Sequence, residues 1–277
     1  MAAAHRAEPF RIDAESETLA SASSIYGAGE LSCRGAPGEL IAERHYALPC
    51  VGVVIQGVFD YHADNGRGAG APGAIVFGNP GEAFGCRHLD AAGNRRAVIA
   101  MDPDALAEAA NDCGLDDPAF RTALIPPSRR SAALYAEVRR AAVGGLSEDG
   151  VFELMGCALA LGRGAKAPAA LGEPARILAV ARHLDAAYDE PLTLREMAAM
   201  AGLSRFHFVR SFRAVMGESP HQYLIAARLR AAANRLLDTR EPVTQIALSV
   251  GFNDLSHFNA TFRRAFGASP GAWRRAA

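Results

Sequence analysis

Residues 194–220 read LREMAAMAGLSRFHFVRSFRAVMGESP, and residues 243–270 read VTQIALSVGFNDLSHFNATFRRAFGASP. The two stretches match position by position. Ala198 answers to Ala247 and Gly202 to Gly251. After one extra residue in the second turn, His207 answers to His257, Phe208 to Phe258, Phe212 to Phe262, Arg213 to Arg263 and Gly217 to Gly267. Ser219-Pro220 returns as Ser269-Pro270. Self-similarity at an offset of about fifty residues marks one supersecondary unit used twice.

Each copy has the grammar of helix, tight turn, helix. Thr193 and Glu196 form a Thr-x-x-Glu capping box, which satisfies free N–H groups at a helix start. Leu194, Met197, Ala198 and Ala201 make the first apolar face. Gly202 stands at the bend, where left-handed backbone favours glycine. Ser204 caps the next helix, in which Phe208, Phe212 and Val215 form one buried stripe at i, i+4 and i+7. The second copy repeats this with Val243, Ile246, Ala247 and Val250, a bend at Gly251, a cap at Asn253 or Asp254, and a stripe of Phe258, Phe262 and Ala265.

A long helix joins the copies. Ser219 caps it, Pro220 suits its first position, and Leu224, Ala227, Ala231 and Leu236 supply apolar positions as far as Leu237. A helix of about twenty residues spans about 30 Å. Successive major grooves on one face of B-DNA lie roughly 34 Å apart.

This region resembles the AraC/XylS family of bacterial transcription regulators. The resemblance rests on Leu194–Gly217, the Ala-Arg-Leu-Arg-Ala-Ala run at Ala227–Ala232, Leu236-Leu237 and Val243-Thr244-Gln245-Ile246-Ala247. It rests also on Val250-Gly251-Phe252, Phe258, Phe262-Arg263-Arg264, Phe266-Gly267 and Ser269-Pro270. It implies an all-α, seven-helix domain with two helix-turn-helix units, bound to double-stranded DNA. It places base contacts on the outer face of each second helix.

On that face the first unit offers Phe206, Val209 and Arg210. An outward arginine reaches guanine O6 and N7 with two hydrogen bonds, and apolar side chains pack on thymine methyls. The second unit offers Ser256, His257, Asn259 and Ala260. Asn259 suits adenine, and Ala260 occupies the place of Arg210, so the second unit reads as the weaker base reader. Arg205, Arg213, Arg263 and Arg264 are the candidate phosphate contacts. His207 and His257 recur beside buried phenylalanines, so a structural role competes with a DNA contact for both. Arg228, Arg230 and Arg235, on the connecting helix, read mostly as salt-bridge partners.

Charge agrees with this division. Residues 174–277 hold 14 arginines against 8 acidic residues, while the whole chain carries −1. A basic part is joined to an acidic one, as expected when only one half faces nucleic acid. The reading is residues 1–165 as an effector-sensing and dimerisation domain, 166–173 as a linker rich in Gly, Pro and Ala, and 174–277 as the DNA-binding domain.

The N-terminal part reads as β-rich. Val51–Ile55, Val58–Tyr61, Ala74–Phe77 and Ala97–Met101 are short apolar runs separated by Gly57, Asp64-Asn65-Gly66, Pro72-Gly73 and Asn79-Pro80-Gly81. They predict a small cupin-like barrel. A helix opens at Asp102-Pro103 and runs to about Asn111. Two more helices, 128–143 and 151–161, predict a hairpin closed by Gly144-Gly145. The fold class is thus α+β, followed by an all-α domain. The resemblance implies that the first part binds a small effector and pairs two copies, with RNA polymerase as a further partner.

Other classes fit less well. The metal-binding cupin pattern needs paired histidines, and His45 stands alone before its strand. No Ser/His/Asp or paired-carboxylate motif is present, so neither an enzyme nor a catalytic metal is expected, and no cofactor. The alternative is a cupin-like enzyme, or a metal or thiol sensor, with a DNA-binding tail. Cys33, Cys86 and His88 are its candidate ligands; Cys86-x-His88 has chelating potential, but one such pair is a poor zinc signature, and buried packing is the plainer reading. Five scattered cysteines argue against a disulfide framework. The first twelve residues hold no apolar core, and no run approaches the ~18–20 apolar residues of a membrane span. A cytoplasmic location is the expectation.

Overall fold

The computed structural model describes residues 16–33, 38, 40–89, 93–128, 131–164 and 174–275. The expected linker at 166–173 lies outside them. Contacts divide the chain into two units, Met1–Pro126 with Glu137–Ala167, and Pro127–Ala136 with Pro168–Ala277.

The first unit is built on ten strands: β1 (Ser16–Ala22), β2 (Tyr26–Cys33), β3 (Leu40–His45), β4 (Cys50–Gln56), β5 (Phe59–Ala63), β6 (Gly66–Gly70), β7 (Ile75–Gly78), β8 (Ala83–His88), β9 (Asn94–Met101) and β10 (Leu124–Ile125). They form two antiparallel sheets, one in the order β1-β2-β9-β4-β7-β10 and the other β3-β8-β5-β6. The expected barrel is therefore drawn as two separate sheets, with no closed ring among the described residues.

The space between the sheets is filled by alternate residues of both. Leu31, Val54, Val76 and Val98 come from the larger sheet, and Phe59, Tyr61, Phe84 and Cys86 from the smaller. Tyr46 stacks on Phe84 with ring centroids 4.2 Å apart, and its hydroxyl lies 2.5 Å from that of Tyr61. Burial pushes the Tyr61 phenol above its ordinary value, as it does that of Tyr46, so both stay neutral hydrogen-bonding groups. The other face of the larger sheet is buried too. Val51, Val53, Ile75, Phe77 and Ile99 are fully enclosed there. This explains why β4 reads as a continuous apolar run rather than an alternating one.

The outer face is covered by helix. Helix α1 (Pro103–Asp112) is capped by Asp102, which accepts from the N–H groups of Asp104 and Ala105. Helices α2 (Ala132–Ala141) and α3 (Glu148–Gly164) follow, with Gly144 and Gly145 between them as expected. The expected α2–α3 hairpin needs amending, because the main helical neighbour of α3 is α1. The reason is a small-residue seam: a Cβ on Gly156 would stand 2.6 Å from Cys113 Sγ and 3.3 Å from the Ala109 carbonyl oxygen. Further along α3, Gly162 lies beside the ring of Phe77, which stacks on Phe120. Arg139, almost wholly buried, pairs with Glu30.

The second unit is helical. Its helices from Pro174 onward are α4 (Pro174–Ala186), α5 (Leu194–Met200), α6 (Arg205–Met216), α7 (Pro220–Asp238), α8 (Val243–Ser249), α9 (Leu255–Phe266) and α10 (Pro270–Arg275). The expected seven are thus present. One core there gathers Ile225, Leu229, Ala233 and Leu236 of α7, Ile246 and Ala247 of α8, Phe258 and Phe262 of α9, and Trp273 of α10. Each fully buried phenylalanine is worth about 1.5–3 kcal/mol of transfer free energy.

Candidate nucleic-acid interface

The repeat seen in the sequence is a repeat in structure. Helices α5 and α8 each have seven residues, and α6 and α9 each have twelve. In the first unit the Thr193 N–H donates to Glu196 Oε2 at 2.8 Å, and the Glu196 N–H donates back to Thr193 Oγ1 at 3.3 Å. The Thr193 N–H, and next the Thr193 hydroxyl, which donates to Glu196 Oε2 at 2.7 Å, hold the Glu196 carboxyl below its ordinary value. Ser204 accepts from the His207 N–H. In the second unit the cap is Asp254, accepting from Ser256 and His257 at 2.7 and 3.2 Å. Helix α8 begins after Pro242, its N-cap residue, with no side-chain cap. The bends at Gly202 and Gly251 both have positive φ.

The buried stripes fix which way each second helix faces. Phe208 and Phe212 are fully buried and meet edge to face at 5.4 Å, and Phe212 packs in turn on Tyr223 of α7. Phe258 and Phe262 are equally buried, and Phe262 packs on Trp273. The opposite faces are therefore left outside. Phe206 is 80% exposed. Arg205, Arg210 and Arg213 are exposed on α6, with Val209 half-buried among them. On α9, Ser256, His257, Asn259, Ala260, Arg263 and Arg264 are all exposed. Each candidate DNA-contacting residue except Val209 thus stands open to a partner. The His257 ring lies tilted beside that of Phe252, centroids 5.7 Å apart.

One residue escaped the sequence reading. Leu255 opens α9 and is 40% exposed. It occupies the repeat position of Arg205, so aligning the two copies would have found it. Leu194, expected in the apolar face of α5, is likewise 40% exposed, whereas Met197, Ala198 and the C-cap Ala201 are buried as expected.

The connecting helix α7 has 19 residues and spans about 28 Å at 1.5 Å per residue. A full capping box between Ser219 and Gln222 starts it, with Pro220 at the first position. Two of its arginines form the expected ion pairs, Arg230 with Asp185 and Arg235 with Glu241. Arg228 instead donates to the carbonyl oxygens of Tyr188 and Glu190.

In the first unit the structure brings together residues that the sequence left scattered. Cys33, Cys86 and His88 are all buried, and their potential ligand atoms lie within 4.8 Å of one another. Cys50 is buried separately, and desolvation pushes its thiol up to about 12. No described helix is long and apolar enough to cross a membrane.

Residues 197–276 match the family model described as "Helix-turn-helix domain". Among curated proteins, the transcriptional activator NphR of a Rhodococcus species is 40% identical over 88 residues, which is 32% of this chain and 26% of that protein. The HTH-type transcriptional regulator MtrA of Neisseria gonorrhoeae is 36% identical over 87 residues, 31% of this chain and 29% of that protein. The chain thus spans well under half the length of the curated relatives it matches. A solved structure from Chromobacterium violaceum, described as a transcriptional regulator of the AraC-type DNA-binding domain-containing proteins, is 30% identical. It covers 36% of this chain and 89% of its own, with a TM-score of 0.35. Residues 197–276 are thus similar to helix-turn-helix domains of transcriptional regulators, among them ones described as AraC-type.

Proposed function

We propose that the protein is a sequence-specific, DNA-binding transcription regulator, a non-enzymatic role. In this reading α6 and α9 enter adjacent major grooves of one duplex. The observation that carries it is the division of these two helices into a wholly buried phenylalanine stripe and an exposed face bearing Phe206, Arg210, Asn259 and Arg263. An aromatic ring so far out in water, beside an arginine, suits a surface that is covered by a partner. Phe206, Val209 and Arg210 are assigned to base edges, as are Ser256, His257, Asn259 and Ala260. Arg205, Arg213, Arg263 and Arg264 are assigned to phosphates.

The N-terminal part, residues 1–165, is assigned a cupin-like sensing role. It takes a small effector and pairs two copies, and RNA polymerase is the further partner. The acidic balance of that part supports a task other than DNA contact.

Genome-wide mapping of bound fragments followed by footprinting tests the reading. The expected result is two protected blocks on one face of the duplex, about one helical turn apart. Uniform protection of unrelated DNA would refute it.

A further inference from the structure

Cys33 ends β2 in the larger sheet, while Cys86 and His88 lie two apart on β8 in the smaller one. Side chains alternate along a strand. Cys86 and His88 therefore share the inward face with Phe84, and Arg87 between them is exposed. Leu31 and Cys33 turn inward by the same rule. Two sulfurs and an imidazole thus converge from opposite walls of the first unit's core.

The geometry is that of a metal site. Cys33 Sγ lies 3.6 Å from His88 Nε2. A sulfur and a nitrogen bound to one tetrahedral zinc, at bond lengths of about 2.3 and 2.05 Å, stand roughly 3.6 Å apart. The set is also expensive to bury for packing alone. His88 is fully enclosed, and its Nδ1 has no hydrogen-bond partner among the described residues. An enclosed polar nitrogen without a partner is destabilising. A cation at Nε2 would join the imidazole to the two sulfurs.

The chemistry of the donors agrees. A thiolate is the form that binds metal. The Arg96 guanidinium lies 5.9 Å from the centroid of the Phe59 ring, and it is positioned to offset surplus thiolate charge.

We propose that Cys33, Cys86 and His88 form a site for one thiophilic d10 cation, Zn2+ or Cu+, held between the two sheets. Two soft sulfurs and one imidazole favour these ions over magnesium or calcium, which prefer oxygen. The proposal does not depend on the DNA-reading assignment.

The test uses the full chain, reduced and stripped with a chelator. Samples are loaded anaerobically with Zn2+ or with Cu+, desalted, and assayed for metal by mass spectrometry. One equivalent retained by the wild type is expected with at least one of the two ions, and the better-retained ion identifies the cargo. Cys86→Ser and His88→Gln should each weaken retention at least tenfold, whereas Cys113→Ser and Cys157→Ser should retain the full equivalent.

Because buried variants can fail to fold, a second measurement uses the wild type alone. Metal should protect Cys33 and Cys86 from alkylation while Cys113 and Cys157, both exposed, keep reacting. Less than a tenth of an equivalent retained by folded protein would overturn the proposal. So would unchanged alkylation of Cys33 and Cys86, or a Cys33–Cys86 disulfide forming in place of metal uptake.

Discussion

Asp185 on α4 and Arg230 on α7 form an ion pair at 2.8 Å with both side chains about nine-tenths withdrawn from water. The Tyr223 hydroxyl donates to the other carboxylate oxygen, and the guanidinium lies 5.5 Å from the centroid of the Tyr223 ring. Desolvation nonetheless pushes the Asp185 carboxyl from 3.8 up to about 6, because pairing with Arg230 only partly offsets it. The pair ties two helices together at a polar point in the helical domain.

Arg230→Met should expose the imbalance. It leaves a buried carboxylate without its cation, at a cost of about 3–5 kcal/mol near pH 8. A raised carboxyl pKa in the folded state stabilises below the unfolded value, and that contribution is lost as pH rises through the folded value. The wild type holds this window between 3.8 and about 6, and the variant should extend it upward. Thermal unfolding should therefore show a smaller deficit at pH 5 than at pH 8. A deficit that grows on acidification would contradict the account.

Arg210→Ala is expected to weaken binding to the cognate duplex by about 1–3 kcal/mol, the worth of one bidentate guanine contact. Binding to a scrambled duplex should change far less. Affinities on both duplexes, at one fixed salt concentration, decide the matter. Equal losses would move Arg210 from base reading to phosphate contact.

Arg263→Ala should instead reduce the slope of log affinity against log salt by about 0.9, one phosphate neutralised fewer. The loss should be similar on matched and scrambled DNA. An unchanged slope removes Arg263 from the phosphate set.

Two glycines separate backbone strain from crowding. Gly267 has φ +73° and open space around a hypothetical Cβ. Alanine there should cost about 1–2 kcal/mol, the left-handed penalty alone. Gly251 has φ +89°, and a Cβ there would sit 2.9 Å from the Arg228 guanidinium and 3.0 Å from the Asp189 carbonyl oxygen. Gly251→Ala should therefore be the more damaging of the two in thermal unfolding. The reverse order would mean that Arg228 yields freely.

The helical domain was legible because its signals are local. Caps at Thr193, Ser204 and Ser219 and stripes at Phe208–Phe212 and Phe258–Phe262 lie within a turn or two of what they specify. Leu194 misled because a hydrophobe at a helix start satisfies the periodicity whether or not anything covers it.

The β-rich part was half legible. Runs rich in Val, Ile, Phe and Tyr gave β4, β5, β7 and β9. Strands β2, β6 and β8 read YGAGELSC, GRGAG and AFGCRH, and their glycines look like turns. They are strands because of their neighbours: the ring of Phe59 occupies the space a Cβ on Gly70 would fill. The cysteine–histidine cluster was legible only as a possibility. Cys33 and His88 are 55 positions apart, and only the packing of one sheet on the other brings them together.

Past its first turn, α7 contains neither glycine nor proline, so it has no joint at which to absorb an error in length. Each added or deleted residue would swing everything beyond it through about 100° around the helix axis. Evolution can repaint the outer ridges of α6 and α9 one side chain at a time, but the gauge between them is set by counting residues and tolerates no small insertion or deletion.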